Sequence, residues 1–265
     1  MKENNMLFNI RHWFGGAVKA LVAACAIAFA GAAQAEYIKP GISINGVVPT
    51  KDGTYSGYTY NSGVFTLTSS GATYTFAGED TSGKVRIVAA TGCKISLASG
   101  FTLDLTKFTS SYAYDAPKAS PISLSTTDTV SVEALGAAYL TSGDKGAGIR
   151  VTNGQSLILL PSRTSRMFVR GCVGAGIGGG YSENCGNIEI RSGHLYAHST
   201  GDGSGIGDGG NAHVASYNSK ITIGMSAHVE AVGSAHGPGI GMTMYSGSYI
   251  DILITGGGDR RRLGG

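Results

Sequence analysis

The chain has 265 residues, a formal net charge of +3, 43 glycines and only 14% charged residues. So weak a charge excludes the basic stripe of a nucleic-acid binder, and the four cysteines offer no CxxC pair to hold zinc. Abundant Gly, Ser and Thr with few charges fit an exported β-solenoid or a disordered chain, and the order of the apolar residues decides between them.

Residues 1–35 read as a secretory signal peptide. Lys2, Arg11 and Lys19 form a basic leader, Ala20 to Ala32 is apolar, and Ala33-Gln34-Ala35 before Glu36 fits a small-residue cleavage site. The apolar run is short for a transmembrane helix, and Val22-Ala23-Ala24-Cys25 offers a lipoprotein box as the alternative. Three basic residues and one acidic residue leave with the signal, so 17 basic and 16 acidic residues remain. The expected product is a nearly neutral, secreted or cell-surface chain with no further membrane span.

Residues 36–62 have weak apolar order and read as a lead-in segment or cap. Residues 63–257 carry strand signals at a regular period. Gly174-Ala175-Gly176-Ile177-Gly178 recurs as Gly203-Ser204-Gly205-Ile206-Gly207 and Gly237-Pro238-Gly239-Ile240-Gly241, with a weaker copy at Gly146-Ala147-Gly148-Ile149. The four isoleucines are 28, 29 and 34 residues apart, and the column extends back to Ile122 and Ile95 in steps of 27. Apolar-x-apolar pairs keep the same period at Leu103/Leu105, Val130/Val132, Leu157/Leu159, Ile188/Ile190, Ile221/Ile223 and Ile250/Ile252. A third column runs through Ala138/Leu140, Met167/Val169, Leu195/Ala197 and Val229/Ala231. A spacing of two within each pair is the strand period.

Three short strands per coil of 27–34 residues, stacked on the next coil, account for all three columns. The expected fold is all-β, a right-handed parallel β-helix of about six to seven coils, with handedness following the crossover rule. A propeller blade needs about 40–50 residues, and an antiparallel sandwich does not hold columns in steady register. Residues 107–120 read as a loop on the wall, and residues 211–219 as an insertion that lengthens one coil. Residues 258–265 read as a tail, or as a point where a longer repeat protein is truncated or frameshifted: an offset of 29 puts Arg260 at the inward position of Ala231.

The run Gly174 to Gly180, GAGIGGG, followed by Cys185-Gly186-Asn187-Ile188-Glu189-Ile190, resembles the Gly-rich repeats of large bacterial surface and secreted β-helix proteins. The resemblance spans roughly residues 120–257 and implies an adhesin or carbohydrate-binding surface module.

Alternation along the strands places candidate ligand contacts. Outward positions of the third column are Tyr139, then Arg166, Phe168 and Arg170, then His194, Tyr196 and His198. An aromatic strip flanked by cations is a platform for sugar rings, including acidic ones, of a polysaccharide or host surface glycan. The same residues can equally be a ladder that stacks to stabilise the sheet. Catalysis needs carboxylates, and Glu189 and Asp251 fall two coils apart, about 9–10 Å, the upper edge for an inverting glycosidase. A carbohydrate-active enzyme is therefore an alternative to a non-enzymatic binding module, and a purely structural stalk is another. No cofactor is implied. His194 and His228 in adjacent coils lack a third metal ligand. Asp202 and Asp208 make at best a weak calcium turn, and the Gly-rich corners lack the GK[ST] of a phosphate loop. Cys172 and Cys185 flank a corner and either form a disulfide or remain buried thiols, with Cys93 free.

Overall fold

The computed structural model describes residues 36–110, 112–212, 218–234, 236–243 and 249–255. The signal 1–35 and the tail 258–265 lie outside these residues, as does most of the insertion 211–219. The unit from Tyr37 onward is all-β, about half strand with almost no helix, and winds as a β-solenoid of about five turns.

Each turn contributes to three walls. The first is built from the first half of Thr73–Asp80, Lys94–Leu97, Thr129–Ala134, Ser156–Leu159, the first part of Asn187–Ser199, the first part of Asn218–Val232, and Tyr249–Ile254, all parallel. The second runs through Phe101–Asp104, Ala137–Thr141, Arg166–Gly171 and the later parts of the two long strands. The third holds Val64–Leu67, Arg86–Ala89, Ile122–Leu124 and then four two-residue strands, Ile149–Arg150, Ile177–Gly178, Ile206–Gly207 and Ile240–Gly241. Strand alternation sends one side chain of each pair inward. Ile149, Ile177 and Ile206 are fully buried one above another, as are Phe101, Ala138, Met167 and Leu195 on the second wall. Each such burial contributes roughly 1.5–3 kcal/mol.

The glycines of the corner motif are dictated by distance. Gly178, Gly207 and Gly241 have φ of 136°, 140° and 132°, and a Cβ on Gly207 would lie 1.9 Å from the carbonyl oxygen of Gly241. At Gly178 and Gly207 a side chain meets backbone on the next rung, so only glycine lets these turns approach.

Three registers differ from the sequence expectation. Val132 pairs with Ile95 and Ala134 with Leu97, so Ile95/Leu97 lies on the first wall, next to Tyr74/Phe76, and Leu103 belongs to the second wall beside Leu140. Ile122 pairs with Ile87, not Ile95, because the loop 107–120 stretches that turn to 35 residues. Ile221 pairs with Ile252 and Ile223 with Ile254, two residues beyond the expected Ile250/Ile252. A count of six to seven coils also exceeds the observed turns. The chain before Val64 pairs antiparallel, and Tyr249–Ile254 is the only wall of its turn among the described residues.

The N-terminal end is closed by that antiparallel segment. Ile42–Ile44 pairs with Thr73–Asp80, and Tyr58–Asn61 pairs with both Gly53–Tyr55 and Val64–Leu67. Tyr60, Phe65, Phe76 and Phe101 form a chain of ring contacts at 4.6, 5.6 and 6.3 Å leading down into the core. The buried Tyr60 hydroxyl donates to the Ile38 carbonyl, and burial pushes its phenol above the ordinary range.

Candidate functional site

The second wall carries the outward aromatic column. Tyr139 pairs with Phe168, and Phe168 with Tyr196, so the three side chains leave the wall directly above one another. Their rings lie 5.0 and 4.7 Å apart with planes only 5° and 8° from parallel. The rings therefore face up and down the solenoid, and both faces of Phe168 are covered. A sugar therefore cannot lie flat on Phe168. What meets solvent is the row of ring edges, with Thr102 in register below Tyr139 and Glu230 above Tyr196.

Beside those edges runs a shallow groove of about 270 Å³. One wall is the aromatic column, and the other is Thr141, Arg170, His198 and Val232. Leu140, Val169 and Ala197 turn their side chains into the core, so the floor between the walls is backbone. Register stacks His198 on Arg170 on Thr141. On the other flank of the aromatics, Arg166 lies under His194, and His194 under His228, with the two imidazoles 5.2 Å apart. All seven residues expected at the strip, Tyr139, Arg166, Phe168, Arg170, His194, Tyr196 and His198, thus share this face. Glu230 and Val232 complete the groove but were not singled out as contacts. Their register with Tyr196 and His198 was the available signal.

A second hollow of about 260 Å³ adjoins the first at Thr141 and Arg170. Its far side is formed by Thr106, Phe108 and Thr109 at the start of the long loop, and by Asp144, Cys172 and Thr200. The first wall has a broader trough bounded by Ser156, Asn187, Glu189 and Lys220. There Glu189 is held by Arg191 at 2.6 Å, and that hydrogen bond and charge keep its carboxyl below the usual range.

The remaining candidates separate. Glu189 shares a column with Thr222 and Leu253, while Asp251 lies beside Lys220 in the neighbouring column, so the expected carboxylate pair is displaced by the two-residue shift of the last strand. Asp208 is buried and accepts the Cys185 amide at 2.8 Å, whereas Asp202 is exposed and lies 2.9 Å from His236, so the two do not converge on one ion. Among the described residues no three His, Cys, Asp or Glu side chains gather as metal ligands.

Of the two readings of Cys172 and Cys185, the structure has the free thiols, with Cys185 buried and Cys172 half-buried; Cys93 is free as well. Cys172 follows the second-wall strand and takes a bond from its own amide to Ser142 Oγ at 2.8 Å. Cys185 lies at the next corner, before the first-wall strand, where its carbonyl accepts Ser219 Oγ at 2.6 Å. The third wall, Ile177–Gly178, stands between them. Burial pushes the Cys93 thiol up to about 11 and the Cys185 thiol above its ordinary range.

Comparison with family models, with curated proteins and with solved structures found no match for this chain.

Proposed function

We propose that this chain is a secreted or cell-surface β-solenoid module that binds polysaccharide or a host surface glycan without transforming it. In this reading the coil is right-handed, as crossovers between parallel strands favour. The observation that carries it is the groove along the second wall, where the column of Tyr139, Phe168 and Tyr196 stands on one side and Arg170 and His198 on the other. Such a groove offers apolar contact and hydrogen bonding along one line, as an extended sugar chain requires. The resemblance of the GAGIGGG corners to bacterial surface repeats agrees with this use.

Electrophoresis through gels containing single polysaccharides tests it. Retardation by at least one, lost in the Phe168→Ala/Tyr196→Ala double variant with its fold intact, supports binding. Unchanged mobility in every polysaccharide overturns it. A structural stalk is the second reading, and the closed ring stack favours it, since covered ring faces serve the sheet before any ligand. That reading expects the double variant to lose stability and nothing else.

A further inference from the structure

Among the described residues four Lys or Arg side chains are held by carboxylates. Arg150 makes a two-point contact with Glu183, Arg191 holds Glu189, Lys94 holds Glu133 and Lys118 holds Asp115. Arg166 and Arg170 are exposed, and among the described residues neither has a carboxylate within ion-pair distance. They leave one strand four residues apart, about 13 Å, on either side of Phe168. The rung above repeats the arrangement with His194 and His198. Between the two cationic columns stand aromatic edges, the electropositive rim of the ring quadrupole. The acids nearby are peripheral: Glu230 stands at the C-terminal end of the groove, Asp144 in the adjoining hollow, and Asp104 one rung below Thr141.

We infer that the ligand is an anionic polysaccharide, with one carboxylate or sulfate gripped by Arg170 in the groove and another reached by Arg166 across the ring edges. The inference rests on the glycan-binding reading and narrows it. A single small anion cannot span about 13 Å, so two acidic groups of one polymer are required. Guanidinium suits both groups because its planar fork donates two parallel hydrogen bonds. Glu230 faces the same polymer with the wrong sign and limits how far it extends along the axis.

The test compares matched polymers: polygalacturonate against its fully methyl-esterified form, and dextran sulfate against dextran. The expected result is binding of one or both charged members with at least about tenfold preference over the neutral partner. Arg170→Gln should weaken that binding about tenfold, Arg166→Gln less, and Glu230→Gln should strengthen it, while Arg163→Gln, off the groove, changes nothing. Carboxylate and sulfate are told apart by which pair shows the preference. Equal binding of neutral and charged partners overturns the inference and leaves the glycan reading standing; no binding of any polymer removes both. Charged binding that Arg163→Gln weakens as much as Arg170→Gln, or that an oligonucleotide of equal charge density displaces as well as free polymer does, also overturns it.

Discussion

The corner of the third wall and the aromatic face of the second wall are both vertical columns in which like residues recur rung after rung. They recur for different reasons. At the corner, Gly178 and Gly207 stand where any Cβ strikes the backbone of the next turn, so the column is a condition of stacking. On the aromatic face, Tyr139, Phe168 and Tyr196 occupy positions that many side chains could fill, with Thr102 and Glu230 doing so at either end. A repeated letter speaks for the scaffold where the backbone demands it, and is free to serve another purpose where it does not.

The sharpest way to break this contrast is at the corner. Gly207→Ala should cost about 4 kcal/mol or more, because the new methyl meets a carbonyl oxygen that belongs to the adjacent rung and has nowhere to move. Denaturant midpoints check this, and a loss under about 1 kcal/mol would mean the turns are not packed as described. Phe168→Ala should cost less, roughly 1–3 kcal/mol, since it removes two ring stacks but leaves the backbone unstrained. A smaller effect comes from Cys93. Its thiol stays neutral in the folded chain up to about pH 11, against an ordinary value of 9.0, so its contribution is full below pH 9.0 and is lost as pH rises through about 11. Urea midpoints measured across that range should fall, and fall less in Cys93→Ala. Smallest of all, Arg170→Gln should leave stability within about 0.5 kcal/mol while changing ligand binding; a large drop would make Arg170 part of the scaffold. In the native protein without reductant, an alkylating reagent should modify Cys172 well before the buried Cys93 and Cys185, which a disulfide would prevent.

The corner column was legible because Gly-x-Gly-Ile-Gly is tied to its rung by sterics, so the letters cannot drift. The outward aromatics were legible because strand alternation fixes which side a residue leaves from. The earliest turns were not. There Thr73–Asp80 pairs with Lys94–Leu97 through one half and with Phe101–Asp104 through the other, so a constant step of 27 carried Leu103 onto the wrong wall. The last strand slipped because Ile250, Ile252 and Ile254 repeat every two residues, and the alternation fits two registers equally well. Ring orientation was beyond the sequence altogether: a column of aromatics has the same letters whether the rings present faces or edges. The cysteine pairing stayed open because thirteen residues of separation fit a closed loop as well as a passage along the third wall between two free thiols.

The most direct measurement follows backbone amide resonances while polygalacturonate is titrated into the protein. The largest shifts should fall on residues 139–141, 168–170 and 196–198, with the glycine corners at 176–178 and 205–207 unmoved. Shifts centred on the Asn187–Lys220 trough of the first wall or on the corners, or no shifts at all, would contradict the assignment of ligand to one column and scaffold to the other.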